Sequence, residues 1–228
     1  MAKQITWERA LVRTGFLFEK EGDTFLFHYE NCLNQRLLER MLKDLGVAGS
    51  LEQMRFTPAT FEVDEEAFMQ AFHENRGSHE YFPGVVDAIV LYSLDPYIAG
   101  IVRWCAAIGI PTATSCDGHG RRHASLCFHK GEEQYPVLVD ACMALLSGGK
   151  WQFHYQYQSA SGRFMIRQSH RELRERQQER RERGREHGSK LVYEQRWLLD
   201  VAEALHDHQD LLSDVVRSMK TTTANQTR

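Results

Sequence analysis

The chain of 228 residues lacks the marks of a membrane-bound or secreted protein. No apolar run approaches the roughly eighteen residues that a membrane-spanning helix needs. The first residues contain no uninterrupted apolar stretch of the kind found at the centre of a secretory signal peptide. The sequence therefore predicts a cytoplasmic protein with no membrane contact.

Cysteine and net charge are also scarce. The five cysteines form an odd number, and no CxxC pair or HExxH motif is present. We therefore expect free thiols, with Cys105 and Cys142 on apolar helix faces as small core residues. The formal net charge of −3 gives no basic excess of the kind that favours nucleic-acid binding. The 42% of hydrophobic residues is ordinary for a globular protein with a buried core.

The hydrophobic pattern predicts an α+β (or α/β) fold. Residues 1–80 read as an N-terminal part, with a hairpin over 14–30 and a helix over 33–45. Asp64 is suited to cap a further short helix. The polar stretch 73–84 marks the boundary to the next part.

Residues 81–168 are predicted to form a second unit, which carries the candidate functional site described below. Its elements follow the order α-β-β-α-β-β and form a mostly antiparallel sheet, covered by helices on one face. The segments are a helix over 96–108, strands at 110–115 and 123–129, a helix over 135–146, and a hairpin at 151–168.

The last part, residues 169–220, is predicted to be helical. Its charged stretch 171–185 has almost no apolar residue and is typical of a solvated helix. The following helix, 190–219, carries apolar residues at a spacing of seven, so it either folds back on its own domain or forms a homodimer. Residues 221–228 are predicted to be a disordered tail.

Chemistry-bearing side chains concentrate in the segment 116–129, where six of fourteen residues are Cys, His or Asp. Glycines in the loop CDGHG permit a sharp turn that would bring these side chains to one sheet edge. In the strands around it, polar residues such as His154 and Arg163 alternate with apolar ones. The polar face of the sheet resembles the floor of a pocket.

The leading hypothesis is a metal-dependent hydrolase that uses a divalent transition metal such as zinc and acts on a small anionic or phosphate-containing substrate. The predicted ligands are Cys116, His119 and His123, since catalytic zinc needs three protein ligands and an open position for water. Asp117 is a further ligand or a general base, and His154 is a ligand or a proton shuttle.

Two other chemistries fit the same loop. Cys116 could act as a nucleophile, because a neighbouring imidazolium or guanidinium favours the thiolate. Glycine backbone N–H groups and arginines could instead hold a small anionic substrate or a nucleotide. The predicted anion-binding arginines are Arg121, Arg122, Arg163 and Arg167.

Residues 95–130 place a helix ending in glycine, a strand and the loop S-C-x-G before a second strand. This arrangement resembles the wybutosine-synthesis family of tRNA-modifying methyltransferases, with His119 where that family carries a basic residue. The resemblance implies an RNA-related function. It adds to the alternative that the chain binds a nucleotide or RNA through its arginines, with 171–185 as an extension. A third alternative is a dimeric interaction protein with a structural metal or a cysteine-based site.

Overall fold

The computed structural model describes residues 3–47, 51, 53–76, 89–156, 160–166 and 187–226. These residues form an α+β fold of helices and antiparallel sheets, which confirms the predicted fold class. The chain divides into two compact units, residues 1–103 and 104–228. The boundary loop expected at 73–84 lies largely within 77–88, outside the described residues.

The first unit contains two small sheets and three complete α-helices among its described residues. Strands β1 and β5 pair antiparallel, and β2, β3 and β4 form a three-stranded antiparallel sheet. The bounds are β1 Gln4–Thr6, α1 Trp7–Thr14, β2 Glu19–Glu21, β3 Thr24–Leu26, α2 Cys32–Asp44, β4 Arg55–Phe56, β5 Glu62–Asp64 and α3 Glu65–Glu74.

Local sequence signals explain these elements. The hairpin predicted over 14–30 is confirmed only for β2–β3, which turn at Gly22 and Asp23, whereas Thr14 is the last residue of α1. The side chain of Asp64 accepts a hydrogen bond from Ala67 N at 2.9 Å and caps α3. In α2, Leu37 and Leu38 are fully buried, as the helical spacing of its leucines predicts.

A buried polar network crosses the core of this unit. The Glu30 carboxylate accepts hydrogen bonds from Leu17 N at 2.6 Å, from Asn34 Nδ2 at 2.7 Å and from Arg103 Nη2 at 2.9 Å. The Asn34 side chain in turn accepts from Leu91 N at 2.8 Å. The network therefore ties together segments that lie far apart in sequence.

The second unit has the predicted order α-β-β-α-β-β. Its four-stranded sheet is antiparallel throughout, in the order β6-β7-β9-β8, and the unit boundary falls within α4. The bounds are α4 Ala99–Ala107, β6 Thr114–Cys116, β7 Ser125–Cys127, α5 Gln134–Leu146, β8 Trp151–Gln156, β9 Ser161–Ile166, α6 His187–Asp207 and α7 Gln209–Gln226.

Helix α4 begins later than its predicted start at residue 96. The carbonyl of Asp95 accepts from both Ile98 N and Ala99 N, so a turn precedes the helix. The Asp95 side chain forms an ion pair with Arg76 Nη2 at 3.0 Å.

The two faces of the large sheet separate as the alternation predicts. Leu126, Phe153 and Phe164 are buried, whereas His154 and Arg163 are exposed. Helix α5 covers the apolar face, and the Asp140 side chain on it accepts a hydrogen bond from Phe153 N at 3.0 Å. The opposite face of the sheet carries the exposed side chains of His154 and Arg163.

Helices α4 and α5 each bury one cysteine. Cys105 and Cys142 are 1% and 6% exposed, as the sequence predicts. Burial raises the pKa of the Cys105 thiol to about 12 and that of Cys142 to about 11. These two thiols are therefore neutral core groups, and all five cysteines are free.

The predicted heptad helix is two helices, since α6 ends at Asp207 and α7 begins at Gln209. The middle of its stripe is buried in the single chain, with Leu198, Leu205 and Leu212 each at most 4% exposed. Trp197 packs on Trp151 of the sheet, with ring centroids 5.4 Å apart. The fold-back interpretation accounts for this stripe, and a homodimer through the same helices stays a prediction.

Two further segments of the C-terminal part bear on the predictions. Helix α7 continues into the segment 221–228, which was expected to be disordered, and Thr221 Oγ1 supports it by donating to Arg217 O at 3.0 Å. The charged stretch 171–185 lies outside the described residues. Among the helices that are described, none has both the length and the apolar character that crossing a membrane requires.

Candidate metal centre

The loop between β6 and β7 makes a left-handed turn. Gly118, His119 and Gly120 have φ values of +81°, +51° and +65° in succession. Glycine adopts such values without steric cost, and histidine is among the side chains that tolerate them. The two glycines thus allow the reversal that the sequence predicts, with His119 at its tip.

Hydrogen bonds within the turn fix its side chains. Asp117 is only 3% exposed, and its Oδ1 accepts from His119 N at 2.8 Å. Gly118 N donates to the Cys116 Sγ at 3.3 Å. From helix α6, Gln195 Nε2 donates to Asp117 O at 3.3 Å. The turn is therefore held from inside and from a neighbouring helix.

Three potential ligand atoms converge in this turn. The Cys116 sulfur, an Asp117 carboxylate oxygen and a ring nitrogen of His119 all lie within 4.8 Å of one another. In a tetrahedral zinc site, ligand atoms about 2.0 to 2.3 Å from the metal are about 3.3 to 3.8 Å apart. The distance of 3.4 Å between His119 Nδ1 and Asp117 Oδ1 is already in this range. The turn is thus a candidate metal-binding group.

A positive charge lies beside this group. Arg122 Nη2 donates to the Cys116 Sγ at 3.4 Å, and most of the Arg122 side chain faces solvent. Arg121 is also exposed, and its backbone N donates to Gly118 O at 2.9 Å. The Arg122 guanidinium thus directly contacts one of the potential ligand atoms.

The predicted ligand His123 is placed differently from His119. Its backbone packs against the turn, since a Cβ on Gly118 would lie 3.1 Å from His123 C. The His123 side chain is half-buried and lies outside the group of converging ligand atoms. The structure therefore brings together Cys116, Asp117 and His119.

His154 lies at the far edge of the same sheet. One row of paired residues runs across it, from Cys116 to Ser125, Arg163 and His154. With strands about 4.8 Å apart, His154 is about 14 Å from Cys116 and Arg163 about 10 Å. The long Arg163 side chain can reach toward the turn, whereas the structure does not bring His154 to it. Arg167 lies outside the described residues.

Gln195 is the supporting residue that sequence reasoning missed. It lies on the long C-terminal helix, 78 positions from the carbonyl that it binds, and is 9% exposed. Its one sequence signal is a polar residue next to a buried tryptophan and leucines. That signal does not identify a partner, because it depends on how α6 packs.

Comparisons of the chain with protein-family models, with curated proteins and with solved structures find no match. The resemblance to the wybutosine-synthesis family therefore rests on residues 95–130 alone. What the chain does has to be argued from the chemistry of the turn, and that chemistry is a sulfur, oxygen and nitrogen donor set on an α+β fold.

Proposed function

We propose that residues 116–119 bind a divalent transition metal, with zinc as the preferred ion. The observation that supports this most is the convergence of three ligand atoms within 4.8 Å. Their chemistry selects the metal class, since thiolate and imidazole ligands suit zinc and related ions, whereas calcium and magnesium prefer oxygen alone.

The same site would support hydrolysis. Three protein ligands leave one tetrahedral position for water, and water bound to zinc loses a proton near neutral pH. A zinc ion held by Cys116, Asp117 and His119 would supply an activated water for the hydrolysis of an ester bond. We therefore propose a metal-dependent hydrolase.

The charges beside the turn favour an anionic substrate. Arg122 contacts the Cys116 sulfur, and Arg163 lies in the same row of the sheet. Guanidinium groups bind phosphate and carboxylate through paired N–H donors. The proposed substrate is a small anionic or phosphate-containing compound. A nucleotide or RNA held by the same arginines is the second candidate, and it requires no metal.

Two expectations about context belong with this proposal. We place the protein in the cytoplasm, where reducing conditions keep the Cys116 thiol available for a metal. We also propose that it forms a homodimer through α6 and α7. Neither is needed for the metal site.

Cobalt titration tests the metal site. Co²⁺ replaces Zn²⁺ and gives visible absorption, plus a near-ultraviolet charge-transfer band when a thiolate is bound. We expect saturable binding by the wild type and loss of the charge-transfer band in Cys116→Ser. Cys127→Ser is the matched control, because Cys127 is similarly half-buried on β7 and lies outside the ligand group. Equal spectra for the two variants would contradict the proposal.

Hydrolysis is tested on the zinc-loaded protein with 4-nitrophenyl phosphate as the probe. We expect turnover that disappears with chelator and returns with Zn²⁺, and a raised KM in Arg122→Met. Metal binding without any turnover would contradict the hydrolase proposal and would mean that the metal is structural. The second candidate would be favoured if the protein binds nucleotide or RNA with an affinity that falls steeply with salt and does not change when chelator is added.

A further inference from the structure

A separate cavity of about 230 Å³ opens in the first unit. The start of α1, the hairpin β2–β3 and the loop between β4 and β5 surround it. Its lining residues are Thr6, Trp7, Glu8, Lys20, Asp23, Phe25 and residues 57–61. All of them lie within one unit, so the cavity is independent of the metal centre.

Aromatic rings form the floor and one rim of the cavity. Trp7 and Phe25 are each 3% exposed and both pack against Phe56, with ring centroids 4.9 Å and 6.1 Å away. Phe61, on the rim, is 69% exposed. The two buried rings and the exposed ring of Phe61 together form a hydrophobic surface that can contact the apolar part of a ligand.

The charges around the cavity are arranged for a cation. The Lys20 ammonium lies 2.5 Å from Glu8 Oε2 and 5.9 Å from the centre of the Phe25 ring. The protein thus already places one ammonium between a carboxylate and a ring face. Asp23 adds a second carboxylate, which has no ion-pair partner among the described residues. The three charged groups therefore sum to −1.

The helix N-terminus at the cavity does not favour an anion. Arg9 N donates to Thr6 Oγ1 at 3.2 Å, and Trp7 N donates to Phe61 O at 3.4 Å. Two of the N–H groups that could hold an anion are thus in use, and Glu8 adds a negative charge to the first turn.

We propose that this cavity binds a small organic cation, namely a primary ammonium group on an aromatic or branched aliphatic body. The ammonium pairs with Asp23, and the apolar body lies between Phe61 and the floor of Trp7 and Phe25. Cation–π attraction and a carboxylate act together on such a ligand, while the rings alone would bind its neutral analogue more weakly.

Three compounds of equal size and different charge test the proposal. Phenethylammonium, 2-phenylethanol and phenylacetate are titrated into the ¹⁵N-labelled protein, and the indole N–H signal of Trp7 is followed by NMR. We expect phenethylammonium to bind about tenfold more tightly than 2-phenylethanol, and phenylacetate to bind most weakly.

Substitutions at the rim complete the test. Asp23→Asn should reduce the affinity for phenethylammonium to that for 2-phenylethanol, and Phe61→Ala should weaken both. Glu39→Gln is the control, since it removes one exposed carboxylate of the same unit away from the cavity. Equal affinities for the three compounds, an unchanged Asp23→Asn variant, or no saturable shift of the Trp7 signal would overturn the proposal.

Discussion

Replacing Arg103 with methionine is expected to lower the free energy of unfolding at pH 7 by about 3 to 5 kcal/mol. Arg103 Nη2 donates to Glu30 Oε2 at 2.9 Å, and both side chains are nearly inaccessible, at 9% and 0% exposure. Methionine fills much of the same space but leaves the Glu30 carboxylate buried without a counter-charge. Equilibrium urea unfolding measures the loss.

The effect of this substitution depends on pH in a defined direction. Burial raises the pKa of Glu30 above 4.5, and the attraction of Arg103 is the largest effect that opposes it. Between pH 4.5 and the folded pKa, the folded state therefore keeps a proton that the unfolded chain has lost. The contribution of Glu30 to stability is fully present below pH 4.5 and is lost as the pH rises through the folded pKa.

Without Arg103, that folded pKa rises further. We expect the stability difference between the wild type and Arg103→Met to be smallest below pH 4.5 and to grow as the pH increases. Arg40→Met is the control, because Arg40 is an exposed arginine on α2, and its loss should change stability by no more than about 0.5 kcal/mol. A difference that is constant with pH would mean that Glu30 and Arg103 are not coupled.

Replacing Gly118 with alanine is expected to weaken metal binding by about 10- to 100-fold while the fold persists. The new methyl group would lie 3.1 to 3.2 Å from backbone atoms of His123 and Ala124. Backbone cannot rotate away as a side chain can, so the turn must shift. Such a shift separates the three ligand atoms, and a Co²⁺ titration measures the affinity.

Gly131→Ala separates crowding from backbone strain. Gly131 has φ of +91°, close to that of Gly118, but no atom lies within 4 Å of its added Cβ. Both variants should lose roughly 1 kcal/mol of stability from the left-handed backbone, but only Gly118→Ala should lose metal affinity. Wild-type affinity in Gly118→Ala would show that the turn geometry does not matter.

The sequence predicts the faces of the large sheet because side chains alternate strictly along each strand. Leu126 and Phe153 therefore point to the core, and Arg163 and His154 to the other side, as expected. Strand order is not encoded in this alternation. The hairpin joins the sheet through β9, so β8 forms the edge and His154 lies far from the turn.

The turn itself could be predicted in part. Its glycines and its Cys, Asp and His side chains are local features, and they indicate a sharp reversal with ligand-type groups. Which histidine joins the group depends on backbone packing, since Gly118 abuts the backbone of His123 while His119 occupies the tip. The support from Gln195 depends on a helix about eighty residues away and could not be predicted from the sequence.

Metal content is the most direct test of the central proposal. The wild type and the Cys116→Ser/His119→Ala double variant are purified without a metal-binding tag, reconstituted with Zn²⁺ under reducing conditions, dialysed, and analysed by plasma mass spectrometry. We predict about one zinc per wild-type chain and almost none in the double variant, with matching circular dichroism. No retained zinc in the wild type, or equal zinc in both proteins, would contradict a metal site at residues 116–119.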